Sequence, residues 1–253
     1  MDAEERIQAA SKFLLQSPPG EINDVLNGDE AARVPGADSE EEDDRFWDPR
    51  SRTSFRFDHI ALEASEPEPI EPEEEAEPFR IALEIAALTY LSAHFHGGVT
   101  SVFSTQGNPH RFTIQVVANK YNPSNFWSGR WRSEYIVNLQ ERKLEGKILL
   151  NVHYYEQGNV QLSTTHAVSI ELPPTISSSN ASASASKILA VIESEESKYQ
   201  ASLNEAYQDM GDKTFKGLRR ALPMTRAKLD WDRVLGYKIG AELTANKGAF
   251  GSS

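Results

Sequence analysis

The chain contains no cysteine among its 253 residues. Disulfides and thiolate metal sites are therefore excluded, and a reducing compartment fits. Uninterrupted apolar runs are also missing: no stretch approaches the length needed to span a bilayer. The start, MDAEERIQAA, lacks the basic and apolar regions of a signal peptide. A soluble, cytoplasmic protein is expected. No Asp-x-Asp-x-Asp-Gly loop with a distal Glu is present, so calcium binding of that kind is not expected. There is no His-Glu-x-x-His zinc pattern, no Gly-rich phosphate loop and no Gly-x-Ser-x-Gly elbow. His94 and His96, with His110 or His153, are read as ordinary histidines, and neither a metal, a cofactor nor an enzymatic reaction is expected.

What is present is acid. Asp and Glu number 38 against 26 Lys and Arg, for a formal charge of −12. The acidic residues concentrate in two runs, residues 29–44 and 66–77. The second run is broken by Pro67, Pro69 and Pro72 and followed by Pro78. Such blocks repel themselves and bury little, so flexible segments are expected there. Against this background one stretch stands out. Lys213 to Lys228 carries Lys213, Lys216, Arg219, Arg220, Arg226 and Lys228 with no Asp or Glu. A basic patch on an acidic chain points to an acidic partner, since unlike potentials attract and orient it. Residue type alone would equally allow a solvated helical face.

The apolar 39 % of the chain is enough for a substantial core. Its periodicity divides the sequence. Residues 1–28 read as helices: Ala3, Ile7, Ala10 and Leu14 share a face, and Ser17-Pro18-Pro19-Gly20 interrupts it. Residues 29–78 read as acidic loops with one short strand, where Phe55 and Phe57 alternate with Arg56 and Asp58. Residues 79–176 read as a helix followed by an antiparallel sheet. In the helix, Phe79, Leu83, Ala87 and Leu91 share a face that Ile81, Leu88 and Tyr90 widen, and Gly97-Gly98 ends it. From Val99 to Ile170 the period becomes two, giving five strands. Short turns at 106–109 and 156–159 make neighbours antiparallel. One apolar face of this meander needs a cover.

Residues 177–186, SSSNASASAS, read as a low-complexity linker. A long helix follows over 187–223, with Ile188, Ile192, Tyr199, Leu203, Tyr207 and Met210 as its stripe and Pro223 as its stop. It is the natural cover for the sheet. The remaining 224–253 form an arm in which Asp230 caps a short helix. Trp231, Val234, Leu235, Ile239 and Leu243 line one side of it, and Gly236 and Gly240 weaken it. Trp127, Arg130, Trp131 and Arg132 could suggest single-strand nucleic-acid stacking. Alternation instead places Trp131 on the apolar face and Arg132 on the other, so a core tryptophan is expected and nucleic acid is not.

Several strings, in order along the chain, resemble the F-actin-capping protein alpha subunit family. They are SKFLLQSPPGEIND (11–24), DPRSRTSFRFDH (48–59), NFWSGRWRSEY (125–135), HYYEQGNVQL (153–162), FKGLRRALPMTRAKLDW (215–231) and YKIGAEL (237–243). The chain departs from the family at Gln157, where Asp is favoured, and at Gly217, where Ala is favoured. It is also shorter between the Asn23–Leu26 region and Asp48.

The resemblance implies an α+β fold and an obligate heterodimer with a beta subunit whose sheet joins this one. It implies capping of the barbed end of actin filaments without calcium, no cofactor, and a place at cortical actin. Residues matching Lys216, Arg220 and Arg226 bind actin in the family, and the C-terminal arm helps hold it. The expected actin-binding set is therefore Lys216, Arg219, Arg220, Arg226, Lys228, Trp231, Leu235, Ile239 and Leu243. Acidic phosphoinositides are a further candidate partner. The alternative is a basic adaptor for acidic lipid or nucleic acid, whose binding should fall steeply with salt.

Overall fold

The computed structural model describes residue 5 and residues 45–58, 60–61, 63–105, 107–155 and 160–209. The N-terminal helices expected over 1–28, the acidic run 29–44 and everything from Met210 onward lie outside these residues. The chain divides into two compact units, residues 1–200 and 201–253. Of the second, residues 201–209 are described, as the last part of a helix.

Two antiparallel sheets and two helices make up the described architecture. The first sheet has the order β1 (Arg45–Asp48), β2 (Thr53–Asp58), β3 (Glu63–Pro69). Phe46 pairs with Phe55 across β1 and β2, and both rings are almost fully buried. The sequence reading placed one strand here and expected flexibility through the acidic prolines. The structure instead makes Glu63–Pro69 an outer strand. Prolines and charges suit such a position, because its free edge needs no ladder donors and charge discourages further pairing. Arg45 and Arg56 neutralise the strand: Arg45 Nη2 donates to the Glu66 carbonyl at 2.7 Å, and Arg56 Nε lies 3.2 Å from the Glu66 carboxylate.

Helix α1 (Glu77–His94) starts at Glu77, two residues earlier than the apolar pattern indicates, with proline in its first turn. Its buried side presents Phe79, Leu83, Ala87, Tyr90 and Leu91. Ile81, Ile85 and Leu88 remain exposed. The sequence reading had counted Ile81 and Leu88 into the buried face; one sheet covers only part of a helix's circumference. The helix ends where the Phe95 amide donates to the Leu91 carbonyl, and Gly97 takes a positive φ of 73° just after it.

The second sheet is a five-stranded meander in chain order: β4 (Val99–Thr105), β5 (Asn108–Asn122), β6 (Trp127–Asn138), β7 (Lys143–Tyr154) and β8 (Val160–Glu171). All neighbours are antiparallel. The register sets Ile114, Tyr135, Gly146 and Val168 in one row and Val116, Ser133, Ile148 and His166 in the next. The five strands expected from the period of two are all present. The first connection between long strands was not legible: Pro123–Asn125 form a 3-10 turn in which the Asn122 side chain accepts from the Asn125 amide, and Phe126 closes it at a left-handed φ of 56°.

Helix α2 (Ala181–Asp209) lies across the sheet with Ala185, Ile188, Leu189, Ile192 and Tyr199 buried. It begins inside the stretch read as a linker. Alanine is the best helix former, and serine is tolerated when its hydroxyl has a partner. Here Asn180 Oδ1 accepts from the Ala183 amide, and the buried Ser184 hydroxyl donates to the Ser177 carbonyl at 2.8 Å. Low complexity therefore encodes a tight helix start rather than a tether. The mixed α+β class, with a five-stranded sheet under a long helix, is as expected.

Candidate interaction surface

The residues singled out for partner binding, Lys216, Arg219, Arg220, Arg226, Lys228, Trp231, Leu235, Ile239 and Leu243, all lie beyond the described residues. What the structure shows is the scaffold that leads into them and the surfaces this scaffold offers.

Two buried polar nodes fix that scaffold. At the first, Arg80 is 2 % exposed and carries bidentate bonds to Glu77 at 2.8 and 3.0 Å and a bond to Glu84 at 2.7 Å. Glu84 also pairs with Arg50, whose guanidinium donates to the Thr100 carbonyl at 2.5 Å. Arg50 sits in the turn that Asp48 holds by accepting from the amides of Arg50 and Ser51. Two arginines and two carboxylates thus join the first sheet, α1 and β4. Each charge has a partner, which a buried ion needs if it is not to cost several kcal/mol.

At the second node, Glu196 of α2 is 2 % exposed. It accepts from the hydroxyls of Tyr135 at 2.6 Å, Ser133 at 3.1 Å and Tyr90. Ser133 in turn accepts from Trp131 Nε1 at 3.3 Å. Burial pushes the Glu196 carboxyl above the usual carboxylate range, against the opposing pull of Tyr135, Tyr90, Ser133 and the nearby His94. Burial, with the Glu196 charge, also pushes the Tyr90 and Tyr135 phenols well up, so both remain donors. Sequence reading missed both nodes. Their members are far apart in the chain, and no local pattern distinguishes them from solvated charges.

Trp131 is a core residue, as its alternation indicated: it is 8 % exposed and stands against the rings of Phe95 and Tyr199 at 5.7 and 6.3 Å. His94 pairs with Glu193 at 3.3 Å, and His166 stacks on Tyr199 at 4.4 Å. Among the described residues no cluster of His, Asp and Glu could hold a metal ion. At one end of the sheet residues 126–128 and 153–155 come together: the Tyr155 amide donates to the Phe126 carbonyl at 2.8 Å, and their rings meet edge-on at 5.9 Å.

Among the described residues, two surfaces stand out. A groove of about 440 Å³ runs between α1 and α2, with Ile85, Ala86 and Leu189 beside the polar His94, Ser186 and Glu193. The other is the outer edge of β8. Among the described residues this strand has a neighbour on the β7 side alone. From residue 160 to 170 it reads VQLSTTHAVSI, without Asp, Glu, Lys, Arg, Pro or Gly. Free edges are ordinarily guarded by just those residues. β3 shows that guard and β8 does not.

A small sheet and a five-stranded meander under a covering helix define a mixed α+β scaffold with an edge strand that carries no charge or proline from 160 to 170. The comparisons with known proteins specify it. The F-actin capping protein alpha subunit family matches residues 27–242. An F-actin-capping protein subunit alpha of Neurospora crassa is 33 % identical, over 93 % of this chain and 96 % of the relative. The Caenorhabditis elegans protein of that name is 34 % identical, over 94 % and 97 %. Among solved structures, the homodimeric actin capping protein alpha subunit from Plasmodium berghei aligns with a TM-score of 0.57 at 16 % identity. That alignment covers 88 % of this chain and 99 % of the other, and shows the shared fold. This chain belongs to the F-actin capping protein alpha subunit family.

Proposed function

We propose that this chain is the alpha subunit of a heterodimer that caps the barbed ends of actin filaments and blocks subunit addition and loss there, independently of calcium. The observation that carries this reading is the family match, which runs through the basic string FKGLRRALPMTRAKLDW at 215–231. In this reading Lys216, Arg219, Arg220, Arg226 and Lys228 meet an acidic actin surface, and Trp231, Leu235, Ile239 and Leu243 supply apolar contact. The beta subunit extends the sheet from the outer edge of β8; the absence of charge and proline from 160 to 170 supports pairing there with a second sheet. The place of action is the cytoplasmic actin cortex. Acidic phosphoinositides compete for the same basic cluster.

The test is seeded elongation from barbed ends with the chain co-purified with a beta subunit, at physiological salt and with calcium chelated. The wild-type complex should stop elongation. Arg220→Glu should weaken capping by more than about one decade, because a like-charge contact replaces an attractive one at about 1.4 kcal/mol per decade. Unchanged capping by a triple alanine variant of Lys216, Arg220 and Arg226 would remove these residues from the site. Binding to phosphoinositide vesicles without any effect on elongation would favour the lipid adaptor instead.

A further inference from the structure

The Glu196 node stands apart from the residues assigned to actin. It is a buried carboxyl at the point where α2, α1 and β6 meet. Its hydrogen bonds, from Tyr90, Ser133 and Tyr135, all come from hydroxyls. Among the described residues no lysine or arginine forms an ion pair with it, and the pull of nearby His94 only opposes the effect of burial. This differs from the Arg80 node, where every carboxylate has a guanidinium. A buried carboxyl without a cation has two competing states. Ionised, it takes three donors but keeps an uncompensated charge away from water. Neutral, it loses the charge and can itself donate, for instance to the Ser133 hydroxyl, while the tyrosines still donate to it.

We propose that Glu196, Tyr90, Tyr135 and Ser133 form a proton-linked latch: the neutral carboxyl holds α2 against β6 and α1, and its ionisation loosens that junction. The charged and titratable groups around it come from four elements. On α1 they are Tyr90 and His94; on β6, Tyr135. On α2, Glu193 pairs with His94, while Glu195 lies 3.9 Å from His166 of β8 and 3.1 Å from Lys198. His166 in turn stacks on Tyr199.

The sign follows from burial. The folded carboxyl titrates above the usual carboxylate range, while in the unfolded chain it titrates near about 4.3. Between these two values the folded state holds the extra proton. Stability from this group is therefore complete below the unfolded value and is lost as pH rises through the folded one.

The experiment uses the full-length chain, with its partner subunit, and follows the thermal midpoint and the amide exchange of α2 from about pH 4.5 to about pH 8. The wild type should lose stability as pH rises through the window, with faster intrinsic-rate-corrected exchange around residues 188–199. Glu196→Gln should remove that part of the pH dependence. Tyr90→Phe, which deletes a donor to the carboxylate, should move the loss upward by about one pH unit. Parallel wild-type and Gln curves, or no displacement in Tyr90→Phe, overturn the latch. If Glu196→Gln gives no folded protein, the Tyr90→Phe displacement alone decides. No actin enters the measurement, so its outcome is independent of capping.

Discussion

Tyr135 owes its position to a residue with no side chain. Gly146 stands directly opposite it on β7. A Cβ there would lie 2.5 Å from the Tyr135 ring and 2.6 Å from the Glu134 carbonyl. The ring is fully buried over this gap and its hydroxyl reaches Glu196. Gly146→Ala should therefore cost about 1–3 kcal/mol through overpacking, and lower the thermal midpoint by about 2–4 °C for each kcal/mol. It should also displace the tyrosine hydroxyl, so that the variant shows an altered pH dependence; an unchanged melting curve would mean that β7 yields freely. At this scale the sequence was partly legible. Trp131 could be assigned to the core from alternation, because a strand's period of two leaves each residue one of two faces. Gly146 owes its identity to a ring eleven residues away in the chain, which no local pattern reveals. Glu196 and Arg80 were invisible for a related cause. A carboxylate on a helix looks the same in sequence whether it meets water or two tyrosines.

Elements were read more readily than residues. The meander was legible because each strand buries one face and each apolar residue had to fall in step. The ends were not. α2 starts at Ala181 because Asn180 and Ser184 satisfy its first turn locally, and composition alone made that stretch look loose. β3 became a strand because an edge position tolerates what an interior strand would reject. The C-terminal arm, proposed to hold actin, belongs to this scale as well. Charge acts at long range and apolar packing only at contact. Deleting 231–253 should then leave the proposed heterodimer folded and the association rate within a few-fold, and should raise the dissociation rate by about one decade or more. Single-filament imaging measures both rates. Slower arrival with unchanged residence, or loss of the heterodimer, would make the arm a steering element or a brace.

For the whole molecule, the contrast between the guarded β3 and the unguarded β8 carries the main expectation. A strand free of charge and proline along an open edge will pair with whatever strand it meets. Expressed alone, the chain should be largely insoluble; expressed with a beta subunit it should be soluble and of uniform size. A stable, monodisperse monomer by light scattering would show that something in this chain already covers β8. How many chains join there is a property that one sequence displays only indirectly, as a missing guard.

The same edge has a consequence during synthesis. The last strand ends at Glu171 and its covering helix at Asp209. At about 5–20 residues per second, a ribosome finishes the helix about 2–8 s after it finishes the sheet. Strand pairing takes place far faster than that. The nascent chain therefore carries that edge beside an apolar sheet face which α2 does not yet cover, for a time that is long on the scale of folding. Shelter of that face during those seconds is a demand of translation, separate from any demand of the finished protein.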